Sequence, residues 1–331
     1  MAQRATNAEH RYGYAQDWTD WDNYARYRPT YPAPTVKMIM DYHRAHSNSL
    51  RLAHDIGSGS GVFVPTLAEY FQHVHVSDPN LSNVSKARQR LGEWYAQNWW
   101  KAKFSFSVTA AETACGCVVP GSVDMATLMM SAHWTDVEAM VQSVGQSLAP
   151  NGTLAVVQYN PACNVADNEP VNATVQDLFK ALGAELVRAA GGDGSMTGQR
   201  GMPQSNSGLD YVPLPEGTFI QDVTKRIKIN LRGRGNTAFV VPGQGKRIAP
   251  SRVGALHRKY EFAFPDEEAD GWRQEVNGAW FRGFINSMEQ EGKLQLYEEH
   301  FEAIDRRIED TTGGGMVTIE WTAAILLATK K

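Results

Sequence analysis

The stretch Asp55-Ile56-Gly57-Ser58-Gly59-Ser60-Gly61 constrains this chain more than any other part of it. It follows a short apolar run, Leu52–Ile56, and precedes apolar residues at helical spacing over Val62–Phe71. Glycines let the backbone turn sharply and approach a ligand with no Cβ in the way. Amide groups at the start of the following helix favour a negative group. The pattern then repeats. Val74–Ser77 reads as a strand, Leu81–Trp100 as a long helix and Phe104–Val108 as a strand. Val123–Met130 reads as a strand buried on both faces, Val137–Leu148 as a helix and Thr153–Gln158 as another buried strand. Strands alternating with helices at this spacing predict an α/β fold with a doubly wound parallel sheet, which binds ligands at the carboxyl ends of its strands.

After Tyr159 the alternation stops. Residues 173–190 read as a helix, and residues 191–217, rich in glycine, proline and polar side chains, read as a mobile loop. His257–Phe264 reads as a strand, Asp266–Glu291 and Leu294–Glu309 as helices, and Met316–Ala328 as one closing strand at the sheet edge. We therefore expect an aromatic N-terminal lid over residues 1–34 and an α/β core over 35–160. A substrate cap over 161–256 would follow, then a C-terminal part of the core over 257–331 with cap helices and the edge strand.

The helix-turn site carries acidic groups on both sides. Asp55 precedes the first glycine by two residues, and Asp78 ends the next strand, where a carboxylate can accept two hydrogen bonds from a ribose diol. A dinucleotide fold needs G-x-G-x-x-G, whose third glycine allows close packing around a pyrophosphate. Here the third glycine comes one residue early, at Gly61, and Val62 takes its place. S-adenosylmethionine (SAM) has no pyrophosphate and carries an ammonium that Asp55 would attract, so SAM fits better than a nicotinamide dinucleotide.

Four segments carry a resemblance to a known family: Tyr24-Ala-Arg-Tyr-Arg28-Pro-Thr-Tyr-Pro32, the turn 55–61, Val123-Asp-Met-Ala-Thr-Leu-Met-Met-Ser-Ala-His133-Trp134, and Leu148-Ala-Pro-Asn-Gly-Thr-Leu154. The chain resembles a class I SAM-dependent methyltransferase, and within that class the trans-aconitate methyltransferase-like group of fungi and bacteria. The likeness covers residues 20–160 well and the closing strand loosely, and it leaves 165–255 unmatched. It implies a Rossmann-like seven-stranded sheet with a helical cap. It also implies that Gly57, Ser58, Gly59 and Gly61 line the methionine end of SAM, with Asp55 near its ammonium. Asp78 would hold the ribose, Pro79 and Asn80 would flank the adenine, and Ala111 and Glu112 would meet its edge. Met130 would stand beside the sulfonium, and Tyr24 and Arg28, in the lid, would contact the cofactor or the substrate. Ser58 departs from the cysteine common in relatives. Asn151 stands where many have glycine, and it also suits a turn.

His133 ends the fourth strand, where the transferred methyl should emerge. It is the candidate proton acceptor for a hydroxyl nucleophile, or else a pocket wall. Trp18, Trp21 and Tyr159 are candidate substrate contacts. Lys225, Arg226, Lys228, Arg232, Arg234, Lys246, Arg247, Arg252, Arg258 and Lys259 fall in a window with no acidic residue, although the whole chain carries −4. The window reads as a solvated face paired with acids elsewhere, with a funnel for an anionic substrate as the sharper alternative. No nucleic-acid module accompanies it. Three cysteines give no disulfide framework, and Cys115-Gly116-Cys117 lacks the second pair of a zinc motif, so no metal is expected. With no apolar run of membrane length and no signal-peptide core, we expect a cytoplasmic monomer or homodimer. The expected function is methylation of a small molecule, more readily on oxygen than on nitrogen or sulfur, in secondary metabolism, with S-adenosylhomocysteine as product. A SAM-binding protein of the same fold that catalyses a cyclisation or rearrangement would look identical in these motifs.

Overall fold

Continuous apolar runs in this chain become strands covered on both faces, and the alternating ones become half-covered edges. The computed structural model describes residues 20–98, 102–189, 200–232, 240–241, 245–262, 272–288 and 293–331. In chain order the elements begin with α1 (Trp21–Tyr27), α2 (Ala33–His46), β1 (Leu52–Ile56), α3 (Val64–Ala68), β2 (His73–Asp78), α4 (Leu81–Asn98) and β3 (Lys103–Val108). A 3₁₀ turn (Ala111–Cys117), β4 (Val123–Met129), a second 3₁₀ turn (Ala132–Trp134), α5 (Val137–Ser147), β5 (Leu148–Tyr159), β6 (Asn164–Val165), α6 (Glu169–Ala189) and α7 (Met202–Asn206) follow. The chain continues through β7 (Lys225–Ile229), the short pair β8 (Val240–Val241) and β9 (Gly245–Lys246), β10 (Arg258–Phe262), β11 (Arg273–Val276) and α8 (Gly278–Asn286). It ends with a third 3₁₀ turn (Leu294–Tyr297), α9 (Glu298–Thr312), β12 (Val317–Glu320) and β13 (Ala323–Thr329).

The main sheet has the order β10-β7-β13-β5-β4-β1-β2-β3. Strands β3, β2, β1, β4 and β5 run parallel, while β13 is antiparallel to both β5 and β7. From β1 the chain winds outward through β2 and β3, then returns to place β4 on the other side of β1. The switch point thus lies between β1 and β4, and the crevice outside their carboxyl ends is where such sheets take ligands. One face packs on α2, α3, α4 and the C-terminal helices, and its core includes Ala53, Val74, Met125 and Val157. The other packs on the turn 111–117, α5 and residues 209–219, and its core includes Ile56, Ala126, Leu128 and Val156.

Several expectations change. The sheet has eight strands, not seven. The addition comes from the stretch expected to be cap and from the segment just after it, since β7 and β10 extend the sheet beyond β13. Lys225-Arg226-Ile227-Lys228-Ile229 alternates as a strand should: Ile227 and Ile229 enter the first core with Lys225 on the same face over the Tyr42 ring, and Arg226 and Lys228 enter the opposite face. The expected helix 266–291 contains β11 before α8 begins; Asn277 caps α8 by accepting the Trp280 N–H at 3.1 Å. The closing strand is two strands, because Trp321-Thr322 separates β12, in a small sheet with β11 and β6, from β13 in the main one. The expected mobile loop 191–217 lies partly outside the described residues, but Met202, Leu209, Tyr211, Val212 and Leu214 are buried core. Among the described residues no helix is long and apolar enough to cross a membrane.

Candidate active site

The glycine turn sits at the switch point. Gly57, Gly59 and Gly61 have φ of +67°, +56° and +74°, a region where a Cβ is strained. A Cβ on Gly57 would come within 2.5 Å of the Ser131 Cβ, and one on Gly59 within 2.6 Å of the Trp21 ring. The turn is therefore both left-handed and closely overlaid, from β4 on one side and from the lid helix α1 on the other. The side-chain hydroxyls of Ser58 and Ser60 are buried with no hydrogen-bond partner, and buried polar atoms in that condition call for a ligand or water.

Two carboxyls flank the turn. Asp78 accepts from the Gly59 N–H at 2.9 Å through Oδ2, and from the Asn80 N–H and the Asn83 amide at 2.9 and 3.1 Å through Oδ1. Burial pushes its pKa up, and these donors pull it back. Asp55 is fully buried, with the hydroxyl of Thr127, its register partner on β4, donating at 2.6 Å. Burial outweighs that bond and the nearby Asp78 adds repulsion, so Asp55 is pushed up to about 7. Such a group gains most from a neighbouring cation.

The lid closes on the turn from α1. The Trp21 ring covers Gly59, and its Nε1 donates to Asn83 Oδ1 at 3.2 Å. The geometry thus puts Trp21, expected at the substrate, on the glycine turn; Trp18 lies outside the described residues. The Arg28 guanidinium is buried over the Tyr24 ring at 5.0 Å and the Phe284 ring at 5.2 Å. It is anchored to α8, donating from Nε to Ser287 Oγ at 2.8 Å.

Across from the lid, β4 ends in a strained step. Met130 has φ +60°, unusual for a residue with a side chain. Ser131 then donates to the Ile56 carbonyl at 2.8 Å, tying β4 to β1 at the turn. His133 follows on the second 3₁₀ turn, fully buried, with Nδ1 unpartnered. Burial first, and the Arg28 charge second, hold it down to about 3, so it is a neutral imidazole at physiological pH. The Tyr159 hydroxyl is also buried, with Tyr24, Arg28 and Tyr31 as its electrostatic neighbours, and burial drives its pKa well up. Glu112 spends one oxygen on the Asp136 N–H at 2.7 Å, tying the first 3₁₀ turn to the N-cap of α5, and Ala111 packs in the core. Pro79 and Asn80 are half-buried at the end of β2.

The basic stretch is largely consumed by structure. Arg226 is buried and donates to the Leu209 and Val212 carbonyls at 2.6 and 2.7 Å. Lys228 pairs with Asp210 at 2.8 Å, Arg232 with Glu320 at 2.9 Å, and Arg252 with Glu138 at 3.0 Å. Arg234 lies outside the described residues. These pairs fit the solvated, paired face better than a funnel. Asn160, the residue after Tyr159, is buried on the opposite face of the sheet and donates to Asn206 at 3.2 Å.

Known proteins are similar to this chain in sequence and fold. A methyltransferase domain is matched over residues 54–154, from β1 to within β5. The methyltransferase gedG of Aspergillus terreus is 29% identical, covering 97% of this chain and 94% of its own. The methyltransferase tpcM of Aspergillus fumigatus is 26% identical, covering 96% and 93%. The chain is a SAM-dependent methyltransferase. The fold agrees as well: a structure from Anaeromyxobacter dehalogenans described as a type II methyltransferase superposes with TM-score 0.50 at 17% identity, covering 91% of this chain and 97% of that one.

The methyltransferase fits its cofactor on its own geometry, through glycines that leave no room for a Cβ, orphaned hydroxyls in the turn and two buried carboxyls. Several residues of this constellation escaped sequence reasoning. Thr127 and Ser131 become visible only once β4 is registered against β1. Asn83, five residues beyond Asp78, required knowing that α4 starts at Leu81 and turns that side chain back to β2. Ser287 lies on an element with no motif.

Proposed function

We propose that the methyltransferase transfers the methyl group of SAM to an oxygen of a small acidic molecule, a carboxylic acid or an acidic phenol, and releases S-adenosylhomocysteine. SAM supplies an electrophilic methyl on a sulfonium. Gly57, Ser58, Gly59 and Gly61 hold its methionine end, with Asp55 attracting the ammonium. Asp78 holds the ribose diol, and Pro79, Asn80, Ala111 and Glu112 border the adenine. Met130 stands near the sulfonium, and Tyr24, Arg28 and Trp21 exclude water as the lid.

The observation that carries the oxygen assignment is the buried Arg28 beside a neutral His133. A desolvated guanidinium disfavours a protonated amine and stabilises an anionic oxygen. His133 Nδ1, buried without a partner, and the buried Tyr159 hydroxyl beside Tyr24 supply hydrogen bonds that orient that oxygen. An acceptor already ionised needs no base, so alignment and exclusion of water provide most of the acceleration. The relatives come from Aspergillus and Claviceps, which supports an acceptor from fungal secondary metabolism. The cap and lid would set its identity.

The test incubates the protein and SAM with matched sets of carboxylic acids, phenols and amines, measuring S-adenosylhomocysteine and product mass. Methylation confined to acids or phenols is expected. Turnover of amines alone would overturn the oxygen assignment. Products that form with no gain of a methyl would favour rearrangement chemistry on the same fold.

A further inference from the structure

We propose that His54, His75 and Cys117 bind a Zn²⁺ ion that braces the β1–β2–β3 face of the sheet against the turn Ala111–Cys117. On that face His54, His75 and Ser105 stand side by side in register, and Ile56, Ser77 and Ser107 form the next row. Farther along the same face the residues are apolar, as a covered parallel sheet requires. A polar patch here needs partners, because buried polar groups are almost always satisfied.

The partners are incomplete. His54 is fully buried; its Nε2 is hydrogen-bonded to Ser77 Oγ at 2.8 Å, and its Nδ1 has none. The His75 ring stands 4.7 Å away, with Nδ1 on Ser105 Oγ at 2.7 Å and Nε2 on Ser107 Oγ at 2.9 Å. The Cys117 thiol donates to the Ala114 carbonyl at 3.0 Å and also neighbours Ser107. One donor atom from each of the three lies within 4.8 Å of the others. Rotation of the serine hydroxyls and a small inward movement of the turn would bring them to a common centre. An imidazole binds a metal through the lone pair of a ring nitrogen that carries no proton, and the unpartnered Nδ1 of His54 is such an atom.

Two imidazoles and a thiolate suit Zn²⁺ in tetrahedral geometry, with water or the Ser107 hydroxyl in the fourth position. Binding displaces the Cys117 thiol proton to solvent. The ion is structural, and the methyl transfer proposed above does not use it. The turn it braces begins at Ala111 and Glu112, so loading steadies the adenine side of the cofactor site. The C-x-C spacing alone gave no zinc signal because the other two ligands come from separate strands.

The experiment uses tag-free full-length protein stripped with a chelator and titrated with Co²⁺ and then Zn²⁺. One equivalent of Co²⁺ should give intense tetrahedral visible bands and a near-ultraviolet thiolate charge-transfer band, both erased by Zn²⁺. Cys117→Ser should abolish the thiolate band and weaken Zn²⁺ by about tenfold or more; His54→Gln should weaken it similarly, with circular dichroism confirming the fold. Free Zn²⁺ at about a hundredfold over its Kd should raise Tm by about 5 °C. Absence of one-to-one uptake by the wild-type protein, uptake with no thiolate band, or an unchanged spectrum in Cys117→Ser would overturn the assignment.

Discussion

His54 and Asp55 are consecutive residues of β1 whose side chains enter opposite faces of the sheet. Both are buried, and the same loss of water drives them in opposite senses: His54 falls to about 3 and Asp55 rises to about 7. Each is held near its neutral form, and each would recover its burial cost from a positive ligand. On the Asp55 face that ligand would be the ammonium of SAM, beside a glycine turn. On the His54 face it would be a metal ion, beside serines and a thiol. One strand thus presents two poised groups, of which only one is flanked by a motif.

The largest expected effect is on acid stability, where the two faces oppose each other. His54, His75 and His133 have folded pKa values below the unfolded value of 6.5. The unfolded chain therefore binds more protons in that window, and stability is lost as pH falls below about 6.5. Asp55 acts the other way: its folded pKa lies above the unfolded 3.8, so stability rises as pH falls from about 7. Three histidines outweigh one carboxyl, although His75 is partly screened by water and adds less. Urea unfolding should show a net loss of about 3 kcal/mol between pH 7 and pH 5. Asp55→Asn should steepen that loss, and stability that holds or rises on acidification would remove the comparison.

Asp78 and Ser77 test the same division at the end of β2. Asp78→Ala removes the acceptor for Gly59, Asn80 and Asn83 along with the proposed ribose contact. SAM affinity by calorimetry should drop about 100-fold. Ser77→Ala, one residue away on the other face, should change it by less than about twofold. An unchanged Kd in Asp78→Ala would take the carboxyl out of the cofactor site.

How much of this was legible follows the same line. The turn 55–61, Asp78 and the strands β1 to β5 were readable because glycine spacing and apolar runs are local signals. Asp55's partner Thr127 was not, since only strand register joins them. The segment 225–229 hides a strand because three of its five residues are charged, which masks the alternation of Ile227 and Ile229. Trp321-Thr322 gave no turn signal to divide the last two strands. Its place in an aromatic segment points Trp21 to the substrate, whereas strand-and-helix packing sets its ring on Gly59. The His54 cluster was invisible because strand pairing, not sequence proximity, assembles it.

Asp55 yields the next effect. With its pKa near 7 in the free protein, binding of an ammonium selects the ionised form. SAM affinity should therefore rise about tenfold from about pH 6 to about pH 8, with a proton released on binding at the acid end. Calorimetry in buffers of different ionisation enthalpy measures that proton. Asp55→Asn should flatten the dependence, and a flat profile in the wild type would mean that Asp55 does not meet the ammonium.

His133 and His54 make the finest comparison, since both are buried, both have an unpartnered Nδ1 and both are held down to about 3. They differ in what they face. His54 faces a thiol and a second imidazole, whereas His133 faces the Arg28 charge. A base held that low accepts a proton poorly near neutrality, because proton acceptance is best when the catalytic pKa lies near the working pH. His133 should then orient an acceptor that is already ionised. The wild-type kcat profile should show no limb near the ordinary histidine value. His133→Gln, which keeps a hydrogen-bonding group, should raise KM by about threefold to tenfold while kcat stays within about threefold. A general base would behave otherwise, losing about 10² to 10⁴ in kcat with a limb that vanishes in the variant.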